Sequence, residues 1–538
     1  MPVEGTPFMS LPIRWTLKPT DTILADWLDS ASAGDIASTC NTIGIRIKDG
    51  AHRTVWRLEG PWGSIHVKRN PLHNLRAWAR RCFRKSKAAL EAHNAQRLMN
   101  RQVPTVEVLA LGEESSWRGA SWIITRTLSG GVGLDQVLVT PGAFNRVNMA
   151  VLLGQTIARM HGASAFHPDL HPGNLLLTLD GTLHILDIHD LEWANPTLEL
   201  RIRNLVLLNR WFQLRCQAWD RYRFLRAYLN EWKRSGNFPD LDPRAMARDI
   251  EKRTFTSNQK LWKGRDLRCL GNNRDFVRRT KQGCSVMHLR DCPAEVIDLL
   301  QNLAPEERLA TIFKKSASST VGLAPLFASS THRSVVLKII PHRRPVIDWI
   351  RSWYETPGQK AWKLGHALRA RGLPTPIPMA YRSKMGIWGG DERLVVEFLA
   401  DSRQLDLWWR EAPVAFFQKR DLLKRLARIV ATMHTRGVRH RDLKSANILI
   451  DCKHQPWIID LAGASLNRSV SQRTCEKDLA RMARSGLAIG MALTGYLIFF
   501  KAYSGNRLSP DWKKQWRQIS RLVEKAMALQ QKRGRPAG

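Results

Sequence analysis

Residues Val438 to Asp451 read VRHRDLKSANILID, and four side chains in that stretch have the types and spacing of a reaction centre. His440 stands two residues before Asp442, Lys444 two residues after it, and Asn447 five residues after it. An apolar run, Ile448 to Ile450, follows, and a second, Trp457-Ile458-Ile459, ends on Asp460. A loop carboxylate can orient an attacking hydroxyl and take its proton. An amide oxygen and a second carboxylate, carried on the two strands of a short hairpin, can hold magnesium against nucleotide phosphates. Together these are the parts that phosphoryl transfer to an alcohol needs. A purely structural acidic loop leaves the spacing without a reason.

The pattern occurs twice. The stretch from His161 continues as HPDLHPGN, with Asp169 and Asn174, and then as His184-Ile185-Leu186-Asp187. Asp169 and Asp442, Asn174 and Asn447, His161 and His434, and Asp187 and Asp460 are each 273 positions apart. Upstream, Lys68 and Lys338 are 270 apart, as are Val103-Pro104-Thr105 and Leu373-Pro374-Thr375, while Thr54-Val55 and Thr320-Val321 are 266 apart. Small shifts between blocks are what loop insertions produce. The repeat is far longer than a solenoid unit, so it reads as two tandem domains.

Elements able to position these residues are visible around them. Thr54 to Leu58, a turn at Gly60-Pro61-Trp62-Gly63, and Ser64 to Lys68 read as a hairpin whose second strand ends on a Lys. The helix-forming run Lys85 to Asn100 contains Glu91 and is closed by Pro104. Strand-like Trp122 to Thr125 leads to a Gly-rich hinge, Ser129 to Gly133. Leu198 to Trp232 has apolar residues at helical spacing, as a larger helical lobe requires.

This arrangement resembles the protein-kinase-like phosphotransferases. The resemblance implies an α+β fold: two tandem bilobal protein-kinase-like domains, each with a small β-rich N-lobe and a helical C-lobe. We expect them over residues 41–292 and 293–530, with 1–40 as a lead-in and 531–538 as a basic tail. It also implies roles. Asp169 and Asp442 are the catalytic carboxylates, with Lys444 assisting in the second copy. Asn174 with Asp187, and Asn447 with Asp460, hold Mg2+. Lys68, braced by Glu91, and Lys338 hold the phosphates of ATP. The alternative reading of His167-x-Asp169-x-His171 as a transition-metal site is set aside, because the kinase-like register explains the same residues.

Both halves further resemble the lipopolysaccharide kinase family. The residues that carry this are the Lys-ending strand, the Pro-Thr turns in RQVPTVEVLALG and RGLPTPIPMAY, and the loops HPDLHPGN and HRDLKSAN. The resemblance implies an ATP-dependent kinase of a sugar hydroxyl in the lipopolysaccharide core, with ATP and an anionic glycolipid or sugar acceptor as partners. An independent argument favours a small acceptor. In protein kinases a long segment follows the metal-binding Asp and ends near Ala-Pro-Glu. Here helical pattern resumes near Leu198 and near Lys477, and neither stretch after Asp187 or Asp460 contains that tripeptide.

The copies also depart from the pattern. Neither has a GxGxxG loop; the corresponding stretches are Lys48 to Thr54 and Lys314 to Thr320. The position matching Glu91 in the second copy is Ala361, with Glu355 the nearest acid upstream. The first copy has Pro168 and His171 where the second has Arg441 and Lys444. Two alternatives therefore stand beside the sugar kinase. One is a protein serine/threonine kinase, supported by Arg441 and Lys444. The other is a nucleotide-binding pseudokinase scaffold in one or both copies.

Composition sets the outer bounds. The chain has 538 residues and a formal net charge of +37, which calls for an anionic partner. Nucleotide phosphates, a phosphorylated sugar and an anionic inner-membrane face all qualify; nucleic acid is not expected, although Arg533-Gly534-Arg535-Pro536 resembles a minor-groove hook. The eight cysteines show no CxxC pairing, so neither a disulfide framework nor a zinc site is expected. The first residues lack a charged region followed by an apolar core, and a cytoplasmic location, peripheral at the inner membrane, is the expectation. Leu487 to Phe500 is almost wholly apolar but shorter than the roughly 20 residues a bilayer crossing needs, so it reads as a buried helix of the larger lobe.

Overall fold

The computed structural model describes residues 12–50, 53–72, 85–116, 119–140, 144–236, 239–281, 283–302, 304–328, 331–342, 355–384, 390–411, 416–506 and 511–532. The Arg533 to Pro536 tetrapeptide lies outside them. Two compact units divide the chain, one ending at Ser257 and the other starting at Asn258. Each unit has a small lobe built on an antiparallel sheet and a larger helical lobe, the mixed α+β architecture expected.

In the first unit the six strands run in the order Ile13–Leu17, Val108–Glu114, Ser121–Arg126, Gly63–Asn70, Thr54–Gly60 and Ile45–Lys48. The central hairpin pairs Thr54 with Arg69 through to Gly60 with Gly63, so Val55 sits opposite Lys68. Gly63 turns it with φ +84, a conformation a side chain would strain. Alternation decides the faces. Trp56, Leu58, Ile65 and Val67 are buried with Trp122 and Ile124 in one small-lobe core. Leu24, Leu28, Ile36 and Cys40 complete that core. They come from the helices Thr22–Ala33 and Ile36–Ile43, capped by Asp21 and Asp35. The segment read as a lead-in thus supplies an edge strand and two packed helices.

The second unit's sheet has seven strands: Phe276–Lys281, Cys284–Leu289, Pro378–Lys384, Gly390–Glu397, Thr331–His342, Thr320–Ala328 and Thr311–Lys315. Val321 sits opposite Lys338, as Val55 does opposite Lys68. The hairpin Phe276–Leu289, which lies before the expected boundary at 292/293, pairs into this sheet. Val286 lies opposite Arg382, as Trp15 lies opposite Gly112. The repeat therefore reaches back to the strand beside Val108–Glu114 in the first copy and beside Pro378–Lys384 in the second, where Phe276–Lys281 pairs outside it and takes the edge.

The larger lobes close on apolar helix faces. In the first, Leu153, Ile157 and Met160 of helix Arg146–Gly162 pack with Leu205, Leu225 and Tyr228 from helices Leu198–Arg215 and Ala218–Arg234. In the second, Leu422, Leu426 and Val430 of helix Phe416–Thr435 pack with Leu479, Phe500 and Tyr503. Leu487 to Phe500 is not one continuous helix: helix Gln472–Ala488 ends, and Leu493–Asn506 begins after a turn. Tyr496, Phe499 and Phe500 are buried while Leu487, Leu493 and Leu497 face outward. Among the described residues no helix is long and apolar enough to cross a membrane.

Candidate active sites

Each unit carries its own set of site residues. In the first, the Lys68 strand and helix Lys87–Met99 bring Lys68 Nζ to 2.5 Å from Glu91 Oε1. Ser86 caps that helix by accepting from the Ala89 amide, and Gln102, in the left-handed region at φ 57, turns the chain out of it. Glu91 is only 3% exposed, so the pair is an interior one and the ammonium is its charge partner.

The loop after Phe166 is fastened by neutral hydrogen bonds. The His167 amide nitrogen meets Asn204 Oδ1, and Asn204 Nδ2 donates to the His167 carbonyl at 2.6 Å. His167 Nε2 donates to the Leu186 carbonyl at 3.0 Å, and its Nδ1 accepts from the Asp169 amide at 3.1 Å. Burial pushes its pKa down, which suits that neutral tautomer. Both ring nitrogens are thereby used, which removes His167 as a metal ligand; the described residues contain no cluster of three His, Cys, Asp or Glu suited to a metal. Asn174 Nδ2 donates to the Asp169 carbonyl at 2.9 Å. The Asp169 carboxylate points into solvent at 83% exposure, with His171 Nε2 3.5 Å away.

The short hairpin pairs Leu175 with Ile185 and Leu177 with Leu183, and Asp187 leaves it in the left-handed region at φ 57. Its carboxylate accepts from His189 Nδ1 and Arg53 Nη1, each at 3.1 Å. His189, with Arg53, outweighs burial and holds the Asp187 carboxyl well below the usual carboxylate range.

The second unit repeats the scaffold and changes the charges. The Ile458 amide donates to the Pro374 carbonyl as the Ile185 amide does to that of Pro104. Asp460 also leaves its hairpin left-handed, at φ 59. Asn447 Nδ2 donates to the Asp442 carbonyl at 2.8 Å and to its carboxylate at 3.0 Å, and Lys444 Nζ is 3.1 Å from that carboxylate. Lys338 Nζ, however, lies 2.9 Å from Asp460 Oδ1. Burial opposes ionisation of Asp460, but Lys338 and more distant Lys314 prevail and its pKa is lowered. Ala361 is buried, and Glu355 pairs with Lys363 instead.

Sequence reasoning missed the buried anchors behind both loops. Asn204 in the first unit corresponds to Asp478 in the second, where Oδ2 accepts from the His440 amide at 2.9 Å. His161 contacts Asn204 and Tyr228, each at 2.9 Å; His434 contacts Tyr503 at 2.9 Å and stands 3.6 Å from Asp478. The register could have found them, since Asn204 and Asp478 are 274 positions apart. Arg53, 134 positions from Asp187, left no comparable signal.

The donor sets suit magnesium. Asn174 and Asn447 spend their Nδ2 groups on the loop carbonyls, so each amide turns its hard oxygen away from that carbonyl. One or two carboxylates plus substrate phosphates is the ligation Mg2+ takes.

The family model described as the lipopolysaccharide kinase (Kdo/WaaP) family matches residues 53–228 and 348–503, more than half of the chain. Over 217 residues the chain is 25% identical to the lipopolysaccharide core heptose(I) kinase WaaP of Escherichia coli, covering 38% of this chain and 77% of that protein. Over 160 residues it is 29% identical to the Pseudomonas aeruginosa protein of the same name, covering 27% of this chain and 58% of that one. It is 33% identical over 117 residues to the 3-deoxy-D-manno-octulosonic acid kinase of Vibrio vulnificus, spanning about half of that relative (46%) and 21% of itself. Among solved structures, the bifunctional kinase-methyltransferase WbdD matches with a TM-score of 0.27 and 16% identity over 38% of this chain and 47% of that one. With two copies of the loop, the lysine strand and the left-handed aspartate in place, the chain belongs to the lipopolysaccharide kinase (Kdo/WaaP) family.

Proposed function

We propose that this chain is an ATP- and magnesium-dependent kinase that phosphorylates a sugar hydroxyl of the lipopolysaccharide core, through two kinase-like domains. The observation that carries the reading is the coincidence, within one unit, of a lysine with its buried glutamate, a solvent-facing loop carboxylate, and an asparagine–aspartate pair on a hairpin. Asp169 orients the acceptor hydroxyl and takes its proton; its exposed carboxylate leaves room for a sugar. Lys68, fixed by Glu91, holds the nucleotide phosphates. Asn174 and Asp187 hold magnesium, which when bound offsets the charge of those phosphates. Arg53 must exchange its contact with Asp187 for one with the nucleotide. The names of the heptose and 3-deoxy-D-manno-octulosonic acid kinases support a sugar acceptor.

Turnover belongs, on this reading, to the first unit. Among the described residues no glutamate braces Lys338, which rests on Asp460, so the second unit, with Asp442 and Lys444, binds nucleotide with a less fixed lysine. The test is transfer from labelled ATP to purified lipopolysaccharide core, with a generic basic protein as the competing acceptor. Labelling of the saccharide, lost in Asp169→Ala and largely kept in Asp442→Ala, supports the assignment. Loss in Asp442→Ala alone reverses the order of the copies, and labelling of the protein acceptor alone refutes the sugar-kinase reading.

A further inference from the structure

A groove of about 550 Å3 on the larger lobe of the first unit lies apart from all of these residues, between helices Arg146–Gly162 and Ala218–Arg234. Trp219 stands at its edge with 69% of its surface exposed, its ring 6.1 Å from that of Tyr222 in an edge-on contact. Val147 and Val151 are also exposed, at 44% and 37%. An indole and two valines in water are not explained by the core of this lobe, which closes on the opposite helix faces.

The rim is cationic. Trp219, Arg223, Arg226 and Arg234 recur at the spacing that puts them on one face of their helix. Asp220 is shared by Arg223 at 3.1 Å and Arg146 at 3.9 Å, and Glu231 by Arg159 at 2.8 Å and Arg234 at 3.3 Å. Arg226 has no ion pair among the described residues. Three arginines, Arg223, Arg226 and Arg234, thus line the groove with one carboxylate, Glu231, and the excess charge is positive beside an exposed aromatic–aliphatic strip.

We propose that this groove docks the protein on an anionic lipid bilayer, with arginines on lipid phosphates and Trp219, Val147 and Val151 at the boundary between headgroups and acyl chains. Tryptophan and arginine side by side suit that layer, because each presents an apolar body and a polar end. A nucleic acid offers phosphates but nothing for the valines. The inference extends the acceptor reading, since a lipid-borne sugar is met at such a surface, but the docking itself rests on the groove.

The test is co-sedimentation of the full-length chain with vesicles of phosphatidylglycerol and phosphatidylethanolamine, against vesicles of phosphatidylcholine alone. Each arginine near an anionic surface contributes about a factor of five in affinity, so Arg223→Ala/Arg226→Ala/Arg234→Ala is expected to bind about a hundredfold more weakly. Trp219→Ala is expected to lose about tenfold. Because the chain carries a net +37, the control is charge removal at three exposed cations of the other unit, Arg473, Lys477 and Lys525, which is expected to cost less than about tenfold. A triple groove variant no weaker than this control overturns the proposal, as does equal wild-type binding to phosphatidylcholine. Transfer to a delipidated core saccharide in solution keeps the two readings apart. Absence of transfer with groove-dependent binding retained overturns the acceptor reading alone. Transfer with no groove dependence overturns the docking alone.

Discussion

Exchanging Asn204 and Asp478 between the units should exchange the charge states of two buried histidines. His161 and His434 occupy equivalent places, and both are essentially inaccessible to water, at 0% and 1% exposure. His161 faces a neutral amide, and burial holds its pKa down at about 3. His434 faces the Asp478 carboxylate at 3.6 Å; burial works against the charged ring, but the carboxylate prevails and the pKa is raised. Arg481, 3.1 Å from the other oxygen of Asp478, takes part of that carboxylate's charge without reversing the direction.

The consequences for stability have opposite signs. Below pH 6.5 the unfolded chain protonates His161 and the folded unit does not, so the first unit loses about 1.4 kcal/mol per pH unit on acidification. His434 holds its proton more tightly folded than unfolded. Its contribution is complete below pH 6.5 and is lost as pH rises through the raised folded value. Asp478→Asn should convert the second unit to the first pattern. An amide there can still accept from the His440 amide and donate to the loop, as Asn204 does. The uncompensated charge is relieved because His434 releases its proton. Between pH 6.5 and 5 the variant should fall behind wild type by about 2 kcal/mol, or about 4–8 °C in Tm. Calorimetry of the full-length chain from pH 5 to 8 measures this, and the transition that moves belongs to the second unit. Asn204→Asp should flatten the acid slope of the first. Parallel wild-type and Asp478→Asn profiles across that range would refute the reasoning.

Three further outcomes are expected. Glu91→Gln removes the charge partner of Lys68 while keeping its shape; it should cost roughly 2 kcal/mol of stability and about a hundredfold in turnover from the first unit, read by melting and by labelled-ATP transfer. Tyr228→Phe leaves His161 and Arg201 each short of a partner within the core, and should destabilise by about 1–3 kcal/mol in the same melts. A double-mutant cycle on Lys338→Ala and Asp460→Ala should show a coupling of about 1 kcal/mol, modest because both side chains are partly exposed; a coupling of zero means the contact does not form in solution.

How much of this could be read in the sequence followed from distance along the chain. The loops HPDLHPGN and HRDLKSAN with their hairpins are local, and Asn174 and Asn447 do reach the carbonyl five residues back. Lys68 and Glu91 were legible because a strand and the next helix are adjacent in space. The edge strand Phe276–Lys281 and its neighbour Cys284–Leu289 were not, because Arg278, Arg279 and Lys281 make the edge strand too polar to read as one. The first strand of a sheet has water along one edge, so its charged side chains do not argue against pairing. Arg53 was invisible for a different reason: its partner lies in the other lobe, and no local pattern encodes a long-range ion pair.

The differences between the copies are more informative than the motif they share. Pro168 and Arg441 sit at the same place, yet Arg441 is left-handed at φ 70, a conformation that a proline ring, fixed near φ −65°, does not reach. The two catalytic loops therefore cannot follow one backbone path. In the first, the His167 ring receives the Asp169 amide; in the second, His440 Nδ1 is buried with no hydrogen-bond partner among the described residues. The second loop is tied instead through Asp478, whose charge the first unit does not have. A neutral anchor with a braced lysine stands against a charged anchor with a lysine resting on Asp460, the aspartate proposed to hold magnesium. The same polar residues at the same spacings are thus embedded in two different electrostatic settings. The loop sequence identifies the family, and the differing partners of Lys68 and Lys338 are what the proposal of turnover in the first unit rests on.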